Sequence, residues 1–533
     1  MRRLRLPIVV LGLLAGCASE RQAPAGVVAV AAVGEPAAIL PPLAYETVAR
    51  DIGDLVYERL AILDPAGAPV DPAAYRPALA VRWERLDSLT WRFHLRPGAR
   101  WHDGTPVSAR DVAFSFEAYA DTTLAAAAQY AIAGRVAATA PDDSTVLVRF
   151  VAPSPEQLYD AAWHVRILPR HLWQDVPRAE WGRDTSLARL VGSGPYRVVG
   201  WRRGESLTLA ADTLRPDSLR PNIARVVWRF TADPDAALNL VLAGEADLLE
   251  SLGAPDRIAR AAADSTLRVI RYPSAVYGFA GFRIGQGARA HPLFADRRVR
   301  RALAMAVDRR AVAANVYGAD ARVPAGPMSA LLWVGDAGLG TVPHDPAAGA
   351  RALDAAGWRP GRDGVRMKDG RRLAFEILVP SSSPSRRQAA VAMQEMWRQV
   401  DADAEVTAVE FPVFQERLAR GDFDVFIGAY LDEPSARGLA DQWGTSGIGV
   451  LNHSEYSNPV FDSLLAAAGR AGELERARAL YHAAIDSLNA DAVAIYLYTP
   501  IQAAAVRQGI EQVTIDPYSW LSRLPEWTVS RAR

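Results

Sequence analysis

Apolar residues along the 533-residue chain follow two periods. Short stretches rich in β-branched and aromatic residues predict strands at 89–95, 145–151, 207–211, 224–230, 267–272, 276–284, 373–378, 424–430 and 494–498. Between them, apolar residues recur every three or four positions behind helix-start signals. Ser108 and Asp111 have capping-box spacing ahead of Val112, Phe116 and Tyr119. Asp233-Pro234, Asp345-Pro346 and Asn458-Pro459 each set an N-cap before a first-turn proline, with Gly244 and Gly357 placed to end the first two helices. Val299, Leu303, Ala306 and Val307 share one face between Asp296 and Asp308. The mixture predicts α/β or α+β layering, with helices covering sheet faces. No tandem repeat or long linker interrupts it, so the domains are expected to be interleaved.

Composition sharpens this picture in two ways. With 50% hydrophobic and 23% charged residues the chain is of the folded kind, and its length suits two or three domains. Equal numbers of basic and acidic residues, 60 each, remove the electrostatic argument for nucleic acid as a partner. Lys368 is the only lysine, a skew that reflects genome composition and implies no mechanism. The only cysteine, Cys17, excludes an intrachain disulfide or a cysteine-based zinc site. It follows Arg2, Arg3 and Arg5, an apolar run at 6–14, and the tetrad Leu14-Ala15-Gly16-Cys17, which resembles the bacterial lipobox. We therefore expect a signal peptide at 1–16, a lipidated Cys17 and a small, polar tether at 17–26. No later stretch approaches 18 uninterrupted apolar residues, so the expectation is a periplasmic or otherwise extracytoplasmic body held to a membrane by its N-terminal lipid alone.

The chain shows neither the phosphate-binding G-x-x-x-x-G-K-[ST] pattern, nor H-E-x-x-H, nor G-x-S-x-G. His164 and His171 lie seven apart, a spacing that suits no metal clip. Trp101-His102-Asp103-Gly104 admits a His-Asp dyad or, as the following Thr-Pro favours, a structural turn with a hydrogen-bonded histidine. These readings point to a protein that is not an enzyme and needs no cofactor or metal.

The stretch from Leu89 to Phe116, with Trp91-Arg92-Phe93 and Trp101-His102-Asp103-Gly104-Thr105-Pro106-Val107 at its centre, resembles a signature of the family 5 solute-binding proteins of ABC importers, the peptide- and nickel-binding group. The companions stand in family order: Gly192-Ser193-Gly194-Pro195-Tyr196, Gly244-Glu245-Ala246-Asp247, Asp296 to Leu303, Gly421-Asp422-Phe423-Asp424 and Tyr456-Ser457-Asn458-Pro459. The resemblance covers nearly all of the chain after the leader. It implies an α/β fold of the periplasmic binding protein type II kind, a two-lobed clamp with an additional inserted subdomain. Lobe I would take 27–48, 185–272 and 498–533, the insert 49–184, and lobe II 273–497.

The same resemblance implies a monomer that captures a peptide between the lobes and delivers it to permease and ATPase subunits. The alternatives left open are a nickel chelate, a sugar or an opine-like solute in the same clamp, or sensing without import. In this family an acidic residue pairs with the peptide's amino terminus, and extended-strand pairing holds its amides. Asp432 falls on the acidic position in Gly428-Ala429-Tyr430-Leu431-Asp432-Glu433-Pro434, with Glu433 as the fallback. Tyr430 replaces the family's common tryptophan, and Ser435-Ala436-Arg437 replaces a more usual acidic continuation. Tyr277 on the inter-lobe crossing strand, Trp443 in the loop after Asp432, and Tyr45 in an early cleft-facing loop complete the candidate ligand contacts.

Overall fold

The computed structural model describes residues 25–44, 46–64, 67–124, 132, 134–184, 186–318 and 321–530. Cys17 and Tyr45 lie outside the described residues. Each of the nine sequence-predicted strands forms, within one or two residues of its expected ends.

A seven-stranded sheet collects chain from far-apart places, in the order Leu267–Pro273, Ile501–Arg507, Leu248–Leu249, Ala25–Val33, Ile223–Thr231, Ser206–Ala211, Tyr196–Arg202. Ala25–Val33 runs parallel to Ile223–Thr231 with Val28 opposite Val226 and Val30 opposite Trp228, all four buried. A five-stranded sheet follows the order Asp403–Val409, Ala374–Pro380, Val425–Leu431, Val276–Phe282, Ala494–Tyr498. Buried residues from Tyr277 to Tyr498 form one core around it. The helices at its borders start as the sequence requires. Asp345 accepts from Ala348 N at 2.8 Å and Asn458 from Val460 N at 2.9 Å.

A third, four-stranded sheet is built from Ala80–Arg85, Thr90–Leu95, Thr145–Phe150 and Val136–Thr139. Alternate residues Trp91, Phe93 and Leu95 face Val146, Val148 and Phe150 inward, and the helix Ala109–Ala120 covers them with Val112, Phe116 and Tyr119. Asp111 reaches back to accept from Ser108 N at 2.8 Å, as the capping-box spacing predicts.

The small sheet is fastened to the seven-stranded body by buried charge. Glu58 binds Arg96 of the small subdomain at 3.0 Å and Arg215 of the larger body at 2.9 Å, while within the subdomain Asp54 binds Arg59 at 2.8 Å and Arg166 at 2.6 Å. Gly194 N donates to Val56 O at 2.8 Å, an approach so close that a Cβ on Gly192 would sit 1.8 Å from that oxygen. His102 takes part in this joint: its Nδ1 accepts from Gly192 N at 3.1 Å and its Nε2 lies 3.0 Å from Gly194 O, while Asp103 pairs with His171 instead. The turn reading of 101–104 is therefore the observed one.

By contrast, the two larger sheets are joined through two short crossings. Only Ser274 and Ala275 separate Pro273 from Val276, and only Thr499 and Pro500 separate Tyr498 from Ile501. The result is a two-lobed α/β clamp with a smaller subdomain fixed to one jaw.

Candidate ligand site between the lobes

The strand Val425–Leu431 pairs antiparallel with Val276–Phe282 along its whole length, with Tyr430 opposite Tyr277 and Leu431 opposite Val276. On its other side the parallel ladder with Ala374–Pro380 covers only Val425 and Phe426. Residues 427–431 therefore have a strand neighbour on one side only. Ala429 on this free edge lines a cavity of about 210 Å³ at the crossings. Ser251 and Gln502 wall it from the seven-stranded side, and Val276, Arg386 and Tyr498 wall it from the five-stranded side.

Asp432 follows the strand end, its N donating to Ala275 O at 2.8 Å. Its side chain is buried, and Oδ2 accepts from Ser329 N at 2.5 Å. Burial pushes its carboxyl up to about 7, although the Ser329 hydrogen bonds pull the other way. None of the ion pairs among the described residues involves Asp432. Glu433, the next residue, points oppositely, as successive positions of extended chain do. It lies 3.5 Å from Arg50 and accepts from Tyr159 Oη at 3.1 Å.

Tyr277 and Trp443 are placed together but deep. Both are fully buried in the core of the five-stranded lobe, Trp443 Nε1 donating to Tyr277 Oη at 3.1 Å and Tyr277 Oη to Gln442 Oε1 at 2.5 Å. Tyr430 is half-buried, packs its ring edge-on to Tyr277 at 6.1 Å and donates to Leu451 O at 2.5 Å. These three rings form a rigid backing behind Asp432.

A second cavity, of about 370 Å³, adjoins the first through Ser251, Gly253 and Gln502 and is lined by Asp51, Glu250, Trp228 and Trp520. Burial raises the carboxyl of Glu250 to about 7. Sequence reasoning missed Ser329, Asp51 and Glu250, because no local motif marks a loop amide or a carboxylate that only the fold carries to a cleft.

A model of the bacterial extracellular solute-binding proteins, family 5, matches residues 74–448. The chain belongs to this family. Among its relatives is Protein XP55 of Streptomyces lividans, 27% identical over 420 residues that make up 78% of this chain and 74% of that one. Oligopeptide-binding protein AppA of Bacillus subtilis is 23% identical over 517 residues, 95% of this chain and 92% of AppA. The structure of AppA with a nonapeptide superposes with a TM-score of 0.76 at 22% identity, covering 95% of this chain and 99% of AppA. NikZ of Campylobacter jejuni, solved with Ni(L-His), superposes at 0.79 and 23% identity, covering 94% of this chain and 99% of NikZ. The family 5 protein described here thus shares its whole clamp with both, and the family's description places it outside the cytoplasm.

Proposed function

We propose that this protein is the peptide-capturing receptor of an ABC importer. One observation carries the reading: the one-sided edge of 427–431, whose Ala429 lines the cavity at the crossings, ends at Asp432, a buried carboxylate in no ion pair among the described residues. A peptide added to that edge would satisfy backbone groups strand-fashion, and its ammonium would supply the missing charge partner. The nonapeptide held by AppA, which shares this fold, supports the reading.

In this reading Asp432 anchors the amino terminus, Glu433 faces the opposite jaw, and Tyr430, Tyr277 and Trp443 hold the anchor from behind. Tyr45 would meet ligand from the first lobe. Lobe I comprises 27–48, 185–272 and 498–533, the insert 49–184 and lobe II 273–497, a partition supported by the sheet memberships. The protein acts without chemical turnover, as a monomer, tethered through lipid on Cys17 after loss of 1–16, and hands its ligand to permease subunits. Among the described residues no helix is long and apolar enough to cross a membrane.

Calorimetry with tetra-alanine and acetyl-tetra-alanine tests the anchor. Asp432→Asn should weaken the free-amine peptide about 30-fold or more, as expected for removing one member of a buried charge pair, and the acetylated one far less. Equal losses would reject the role of Asp432. Binding of a nickel chelate or a sugar with no peptide binding would reject the peptide reading.

A further inference from the structure

The gap between the inserted subdomain and lobe II carries a polar contact set that ligand anchoring does not use. Glu156 of the insert is 1% exposed. Its carboxylate accepts from Trp333 Nε1 at 2.8 Å, Ala436 N at 2.7 Å and Ser435 Oγ at 2.6 Å, all from across the gap. One turn on, Asp160 pairs with Arg437, their side chains 5% and 21% exposed. Between them Tyr159 donates to Glu433 at 3.1 Å. Positions 156, 159 and 160 share one helical face, and their partners at 433–437 form one short segment directly after Asp432. Burial opposes charge on Arg437, yet Asp160 and Glu156 beside it hold its guanidinium above the ordinary range.

The Glu58–Arg215 pair and the hydrogen bonds of Gly192 and Gly194 to His102 and Val56 fix the insert to the seven-stranded jaw. Rotation about the crossings at 273–276 and 498–501 must therefore part Glu156 and Asp160 from segment 433–437. We propose that this segment is a latch. Glu156 and Asp160 hold the jaws together through Ser435, Ala436 and Arg437 before any ligand arrives. Glu156 and Arg437 are then positioning residues that set the affinity for every ligand by the same factor while touching none. The inference rests on the clamp fold and not on the ligand being a peptide.

The physical basis is an asymmetry. With both partners present, closing exchanges water contacts for protein contacts at small net gain, so both jaw positions are accessible. With one partner removed, the closed form buries an unpaired charge that the open form hydrates, and the balance falls toward open. A fall in the closed fraction from about one half to about one twentieth weakens any closed-state ligand about tenfold.

The test uses the full chain carrying Cys17→Ser, with spin labels at the exposed positions Arg149→Cys in the insert and Glu473→Cys in lobe II. Pulsed electron resonance on ligand-free protein should show a short-distance population that shrinks in Arg437→Gln and returns in Arg437→Lys. Identical distance distributions in parent and Arg437→Gln, or a parent that is wholly open, would overturn the latch. Should Arg437→Gln fail to fold by circular dichroism, Ser435→Ala decides in the same way, since it deletes only one hydroxyl donor. Tetra-alanine and its acetylated form should weaken by the same factor in Arg437→Gln. A loss confined to one of them would assign Arg437 to ligand recognition and overturn the positioning role. If neither peptide binds the parent, the peptide reading fails while the distance measurement still decides the latch.

Discussion

Asp432 illustrates what a single buried carboxylate does to the pH response. Its folded value of about 7 stands above the unfolded 3.8, so the folded chain holds this proton more tightly than the unfolded one. The associated stability is complete below about pH 4 and is lost as pH rises toward 7. Glu250, also near 7, and Asp516, raised by burial to about 6, act in the same direction. Scanning calorimetry of the ligand-free protein should therefore show a melting temperature that declines across this window, with a shallower decline in Asp432→Asn. An unchanged slope would mean that Asp432 ionises freely in the fold. An ammonium ligand inverts the sign, because it pairs with the ionised form. Affinity for tetra-alanine should accordingly be higher at pH 8 than at pH 5.5, and calorimetric titration at the two values checks it.

At the scale of elements, the crossing strand Val276–Phe282 has little room for added volume. A Cβ on Gly278 would lie 2.2 Å from Cζ of Tyr498, and Tyr498 lines the cavity at the crossings. Gly278→Ala must push that ring aside, at a cost of about 1–3 kcal/mol typical of overpacking, read as a lower urea midpoint at unchanged slope. A midpoint equal to the parent's would show that the ring moves freely. Strands such as this one were legible from sequence because β-branched and aromatic residues are concentrated in them. Ala25–Val33 and Ile501–Arg507 were not, being alanine-rich, AGVVAVAAV and IQAAAVR. Alanine favours no strand locally. These segments are strands because they lie inside the seven-stranded sheet, paired on both sides by chain from distant positions.

For the whole molecule, Glu58 links the four-stranded subdomain to the seven-stranded lobe. Burial would raise its carboxyl, but Arg215 and Arg96 outweigh that and bring it down to about 2. This is the opposite case to Asp432: the stability it confers is present above about pH 4.5 and lost as pH falls toward 2. Hydrogen exchange should show the joint around Gly192–Gly194 losing protection on acidification before the core of the five-stranded lobe does. Glu58→Gln leaves two arginines facing a neutral amide and should cost about 3–5 kcal/mol at neutral pH. It should also separate an early melting transition of the insert in calorimetry. A single transition at the parent's temperature would show that packing, and not this charge, holds the insert to its jaw.

The sequence by itself determined the nine strands rich in β-branched and aromatic residues, the capped helices and the two-lobed plan. Each of these rests on information that is local or carried in an ordered series of motifs. The tertiary structure alone decided that Asp432 faces Ser329 and joins no ion pair among the described residues, that Tyr277 and Trp443 lie deep in the core of the same lobe, and that Ser435-Ala436-Arg437 engages Glu156 and Asp160 about 280 positions away along the chain. A carboxylate's partner and protonation depend on what closes around it and how much water remains. Adjacent residues carry no record of that, because segments distant in sequence converge on the site only in the folded chain.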